Sequence, residues 1–212
     1  MSTRRLVLLM LATALCACAS RAPTPDWQGH AKAASERAVS AYLAGNTRVE
    51  GAELARARSE VSRTGRADLL ARVELAQCAA QVASLVFGPC AAFELLRVDA
   101  PAPERAYAAD LAGQVSGEDV ALLPEAHRGG AVAAIADPLA RLVAAGVQFE
   151  TGRADPAVIA LAVDTASAQG WRRPLLAWLG VQLRLAEQAQ DVAEAARLKR
   201  RIALTAGPAA AP

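Results

Sequence analysis

Residues 137–204 decide the fold and read DPLARLVAAGVQFETGRADPAVIALAVDTASAQGWRRPLLAWLGVQLRLAEQAQDVAEAARLKRRIAL. The dipeptides Asp137-Pro138, Asp155-Pro156 and Arg173-Pro174 follow one another at intervals of 18 residues, and Asp191 comes 17 residues after the last proline. An Asp cap followed by proline at the first helical position is typical of a helix start. Short loops make neighbouring helices antiparallel. The pattern predicts four helices, over 138–149, 156–169, 174–188 and 191–204.

The composition extends this prediction to the whole chain. Alanine makes up 54 of the 212 residues, and alanine loses no side-chain entropy when it enters a helix. Aromatic residues are only 4% of the chain, and strand-forming residues never alternate with polar ones for long, which argues against a β-sandwich or barrel. The chain is 54% apolar, enough to bury a core. We expect an all-α protein.

Glycine and proline divide the earlier part of the chain into further helices. They are predicted over 31–44, 47–63, 67–86, 91–97 and 104–114, with Thr47 and Glu50 spaced as a capping box. The segment 116–130 is the least regular, because Pro124 interrupts the helical pattern and Gly129-Gly130 adds flexibility. It is either a hinge or functional loop, or a plain connector. A sub-division of the single helical domain, 30–207, would fall there.

Two adjacent predicted helices form a unit of about 36 residues, close to the 34-residue tetratricopeptide period. In the third helix, Leu176, Leu179-Gly180 and Leu183 resemble the pattern of the first tetratricopeptide helix, and Ala140 and Val143-Ala144 stand at the same offsets one unit earlier. The resemblance implies an array of antiparallel helical hairpins with right-handed stacking. It also implies that two helices pack closely at the small residue of this pattern, which is Gly180 in the third helix. The second helices of the units match the pattern poorly.

The amino terminus has the form of a secretory signal. Arg4-Arg5 precede an apolar run over 6–15, and small residues follow that run. Ten helical residues cover roughly half of a ~30 Å hydrocarbon core, so the run is too short to span a membrane.

The residues Leu15-Cys16-Ala17-Cys18 resemble the lipobox of bacterial lipoproteins. The resemblance implies that residues 1–17 are removed as a lipoprotein signal peptide and that Cys18 becomes the lipidated first residue. Ala19, where Asp would favour the inner membrane, implies an anchor in the outer membrane facing the periplasm. The alternative is cleavage after Ala19 and a secreted periplasmic protein. Residues 18–29, with two prolines, would form the tether, and 208–212 a short tail.

The charge balance argues against a nucleic-acid partner. The chain has 23 basic and 21 acidic residues, and loss of Arg4 and Arg5 with the signal would leave equal numbers. A nucleic-acid binder needs a concentrated basic face. The expected partners are instead the membrane, through the lipid anchor, and another envelope protein.

Cys78 and Cys90 would remain after processing, in an oxidising compartment. A helix that continued to Phe87 would carry Cys78 roughly 13 Å from the turn, beyond disulfide reach unless the chain folds straight back. A disulfide, two buried thiols, and metal or redox use all remain open.

His127 is the one candidate for acid–base chemistry, within the irregular segment. It has no second His, Cys or carboxylate at ligand spacing, so we expect no metal site and no cofactor. The alternative for His127 is a solvated loop histidine.

Two classes of function follow. The first is a non-enzymatic, outer-membrane-anchored lipoprotein that acts as a protein-binding adaptor or assembly factor. The second is an envelope enzyme or small-ligand binder with a site near residues 116–136. A deep pocket with converging polar groups around His127 would favour the second, and a smooth groove with exposed apolar and arginine side chains would favour the first.

Overall fold

The computed structural model describes residues 25–207 and is all-α over that range. Nine α-helices and three 3-10 turns make up the described chain: α1 Asp26–Ala44, α2 Thr47–Ser62, α3 Ala67–Ala83, α4 Ala91–Glu94, α5 Ala102–Leu111, η1 Asp119–Leu122, η2 Glu125–His127, η3 Val132–Ala134, α6 Pro138–Glu150, α7 Pro156–Ala168, α8 Arg172–Gln188 and α9 Val192–Ala206. The predicted signal peptide, Cys18 and the tail at 208–212 lie outside the described residues. Within 25–207, no helix combines the length and hydropathy needed to cross a bilayer.

The four C-terminal helices begin and end within two residues of their predicted bounds. Asp137 and Asp155 accept hydrogen bonds from the amides of Ala140 and Val158, at 2.7 and 2.8 Å. Each carboxylate thereby satisfies one of the amides that a helix start leaves free. The predicted Asp-Pro helix starts are confirmed.

Two predictions near the start of the domain are wrong. Helix α1 begins at Asp26 rather than residue 31, because Pro25 occupies the cap position and Asp26 places a negative charge in the first turn. Residues 26–29, which the sequence assigned to the tether, are therefore helical. Helix α2 is capped by Asn46, whose side chain accepts from the Val49 amide, and not by Thr47.

Helix α3 ends at Ala83, three residues earlier than predicted. Leu85 takes a left-handed backbone conformation, with φ at 57°, and the chain folds back along the helix. This reversal brings the Cα atoms of Cys78 and Cys90 to 5.9 Å, and the two residues form a disulfide. Of the three alternatives for these cysteines, the structure contains the cross-link.

Helix α8 contributes large side chains to the core. Trp178 and Leu179 are fully buried, and the Trp178 indole N–H donates to the Ala83 carbonyl at the end of α3, at 3.1 Å. Leu185 on the same helix is 40% exposed and the next residue, Ala186, is buried, so the last turn of α8 exposes one side only.

Close helix packing does not occur at Gly180. A Cβ atom built there would come no nearer than 3.9 Å to another side chain, and that one belongs to Arg184 on the same helix. A Cβ built on Gly146 would instead collide with the carbonyl oxygen of Val82. Of these two glycines, Gly146 is therefore the one at which two helices, α6 and α3, approach closely.

Most consecutive helices pack against each other, α3 also packs against α1, α5 and α6, and α1 packs against α8. The main hydrophobic core runs through this arrangement from Ala71 on α3 to Leu198 on α9. Turn η1 packs against α5, η2 against α6, and η3 against α6 and α7, and a cavity lies beside α3.

Candidate functional site

A cavity of about 630 Å³ lies where the irregular segment meets the helices. Its walls come from α3, α5 and α6, with Val39 of α1 at one side and residues 122–128 at another. Most of the lining is apolar: Leu75, Ala76 and Ala79 on α3, and Leu139, Ala140 and Val143 on α6. The volume lies within the usual range for small-molecule sites.

An ion pair lines this cavity. Arg72 on α3 donates its Nε–H to Glu104 Oε1 on α5, at 2.5 Å. The Arg72 side chain is 61% exposed and that of Glu104 only 10%. Glu104 Oε2 has no hydrogen-bond partner in the described part of the chain. Because the two charges compensate each other, this end of the cavity carries little net charge.

His127 is not a solvated loop histidine. Its side chain is only 4% exposed, and its Nδ1 lies 3.1 Å from Oδ2 of the buried Asp110 on α5, without the alignment of a full hydrogen bond. The imidazole also meets the Tyr107 ring edge-on, with centroids 5.3 Å apart. The imidazole is therefore held between two residues that lie one helical turn apart on α5.

Tyr107, which contacts His127, also lines the cavity. Burial raises the pKa of the Tyr107 hydroxyl, and the carboxylates of Asp110 and Asp137 raise it further because they repel a phenolate. Tyr107 is neutral at physiological pH and can offer a hydrogen bond but not a negative charge.

Part of the irregular segment, between residues 122 and 128, lines the cavity. Within it Leu123 is buried, and the Arg128 Nε–H donates to the Leu123 carbonyl at 2.7 Å. The imidazole of His127 packs against α5. Most other residues of 116–130 are exposed, so it is this part that attaches the segment to the helices.

A smaller cavity of about 200 Å³ lies on the other side of His127 and is lined by Asp110, Gln148 and Arg153. No serine, threonine or cysteine among the residues that the structure describes lines either cavity. Tyr107, whose proton is held more firmly than usual, is the only hydroxyl on the larger one. The arrangement is suited to binding an apolar molecule and positions no activated nucleophile.

Metal binding has no support in residues 25–207, where no three His, Cys, Asp or Glu side chains converge. The disulfide also occupies both Cys78 and Cys90. Cys18, the predicted lipidation site, lies outside the described residues.

The sequence interpretation located the region but missed most of its residues. His127 was selected, whereas Arg72, Glu104, Tyr107 and Asp110 were not. Tyr107 and Asp110 stand three residues apart, a spacing that puts both on one helix face. That spacing was the only local signal, since their nearness to His127 depends on the tertiary fold.

Comparison of the chain with protein-family models, with curated proteins and with solved structures finds no match.

Proposed function

We propose that this protein is a periplasmic binding lipoprotein, anchored to the outer membrane through Cys18, whose helical body holds a small apolar ligand. The cavity beside His127 carries the binding part of the proposal. The lipobox resemblance supports the anchor, and the Cys78–Cys90 disulfide suits an oxidising compartment. Secretion without an anchor is the alternative location.

The binding argument rests on the cavity's lining. Transfer of apolar surface from water into such a site yields roughly 25 cal/mol per Å², so a ligand that fills it gains several kcal/mol before the cost of association. The site is open on one side and is lined largely by aliphatic side chains, which supply this energy but little directional chemistry. Binding therefore fits the site better than catalysis does.

Filling the cavity tests this proposal. Ala76→Trp puts a large side chain where a half-buried alanine lines the cavity, and we expect it to weaken binding of a neutral solvatochromic dye by about tenfold or more. Ala160→Trp, at an exposed position on α7, is the matched control. Equal dye affinity in both variants would show that the cavity is not the binding site.

The anchor has a separate test. Cys18→Ala should abolish incorporation of labelled fatty acid and shift the protein from the membrane fraction to the soluble periplasmic fraction. Cys16→Ala, two residues earlier, should leave both unchanged. Acylation that survives Cys18→Ala would refute the predicted site.

A protein-binding adaptor is the second candidate function. It is favoured by large apolar side chains next to the disulfide loop, where Leu95 and Val98 are 85% and 86% exposed. Photo-crosslinking from position 95 in intact cells should capture one envelope protein repeatedly, and crosslinking from the equally open Val192 should not. Identical capture from both positions would remove the support for an adaptor.

A further inference from the structure

We infer that the ligand is a single-chain anionic amphiphile: its acyl chain lies in the large cavity and Arg128 binds its carboxylate or phosphate. This inference rests on the proposed binding function and adds the chemical class of the ligand. Four features of the site lead to it.

The first feature is the kind of apolar surface. The walls contributed by α3 and α6 are aliphatic, with leucine, valine and alanine side chains. The Tyr107 ring already packs edge-on with His127. A planar ligand would therefore not find two free aromatic rings between which it could stack. A flexible hydrocarbon chain is the ligand shape that such walls fit best.

The second feature is the balance of charge around the cavity. Glu104 is compensated by Arg72 at 2.5 Å. Asp137 accepts from the Ala140 amide, so its charge faces the positive end of α6. His127 faces Asp110 on α5. Apart from the neutral Tyr107, these pairings account for every ionisable group on the lining except Arg128.

The third feature is the state of Arg128. No carboxylate among residues 25–207 lies within ion-pair distance of its guanidinium. Its Nε–H is already used by the Leu123 carbonyl, at 2.7 Å, which holds the guanidinium plane in place. The terminal nitrogens remain to donate to a ligand. A guanidinium binds carboxylate and phosphate groups with paired hydrogen bonds.

The fourth feature is the position of Arg128 relative to the apolar walls. Arg128 lines the cavity while remaining exposed as a residue, and the Leu123 to which it is bonded is buried in the same wall. An exposed charged group next to an apolar space matches the two ends of an amphiphile. The head group stays hydrated in part while the chain is removed from water.

The inference is tested on the wild-type full-length protein, kept soluble in a non-ionic amphipol, by comparing the affinities of ligands that differ in their head group. Oleate, oleoyl lysophosphatidate, oleyl alcohol and oleylamine carry nearly the same chain, and each is titrated below its aggregation concentration against a bound neutral dye. We expect at least one of the two anions to displace the dye about tenfold more tightly than the alcohol. Preference for oleate identifies a fatty acid, and preference for lysophosphatidate identifies a phospholipid derivative.

Variants then test Arg128 directly. Arg128→Ala should reduce the affinity for the preferred anion to that for the alcohol, and Arg128→Lys should retain part of the difference. Neutral-dye affinity should stay the same in both variants. Arg48→Ala, an exposed arginine on α2, is the matched control and should leave all affinities unchanged.

The failures of the two proposals are distinguishable. If the alcohol or the amine displaces the dye as tightly as the anions, the ligand class is wrong while the binding function stands. If an anion is preferred equally before and after Arg128→Ala, the assignment to Arg128 is wrong. If the neutral dye and all four ligands fail to bind, the binding function itself is refuted.

Discussion

At the scale of the residue, ionisation of Tyr107 makes the free energy of unfolding depend on pH in the alkaline range. The pKa of its hydroxyl is raised in the folded protein, mainly by burial. The unfolded chain therefore loses this proton first as the pH rises past about 10, and the folded state loses stability relative to it. The contribution is fully present well below pH 10 and is lost progressively as the pH rises from there towards the higher pKa of the folded state.

We predict that Tyr107→Phe makes the protein less sensitive to high pH. Between pH 9 and pH 11, the free energy of unfolding of the wild type should fall by about 1 kcal/mol more than that of the variant. Urea denaturation of both proteins at the two pH values measures the difference. Parallel losses of stability would show that the phenol ionises as readily in the folded state as in the unfolded one.

The residues around Tyr107 show why the sequence predicts the region of the site but not the residues that meet there. The sequence indicates His127 as a candidate because histidine is rare in the chain and this one falls in an irregular segment. Its burial depends on Asp110 and Tyr107, which belong to a helix earlier in the chain. No local pattern relates residues on different elements, so the polar partners could not be predicted.

At the scale of the element, helix starts were predictable because a cap acts within one turn. Asp155 and Pro156 determine the start of α7 through a single hydrogen bond to Val158, at 2.8 Å. The end of α3 was missed because apolar residues continue past Ala83 and hide the reversal. That reversal depends on the left-handed Leu85 and on the later Cys90, which are tertiary features.

We predict that Asp155→Ala lowers the free energy of unfolding by about 1 kcal/mol, since the Val158 amide loses its partner. The matched control is Asp164→Ala on the same helix, where the aspartate is exposed and helical. Its effect should stay within about 0.5 kcal/mol. Urea denaturation at neutral pH compares the two, and equal losses would show that the Asp155 cap contributes nothing of its own.

At the scale of the whole molecule, the two halves of the chain are joined at α3. Helix α6 packs on its side, and the α8 indole of Trp178 bonds to the carbonyl of Ala83 at its end. The all-α fold was predictable because composition and helix periodicity act along the entire chain. The contact between α3 and α6 was not predictable in the same way. The tetratricopeptide resemblance implies a close approach of helices at Gly180, whereas the structure has one at Gly146.

Alanine substitutions at these two helical glycines should therefore have opposite effects. Gly146→Ala forces a Cβ against the Val82 carbonyl oxygen, which belongs to the backbone and cannot rotate away, and should lower the free energy of unfolding by about 1–3 kcal/mol. Gly180→Ala meets no atom closer than 3.9 Å and should raise it by up to about 1 kcal/mol, because alanine favours the helix. Urea denaturation measures both. Stabilisation by Gly146→Ala would mean that α3 and α6 lie farther apart than described, and the cavity whose walls they form would lose its structural basis.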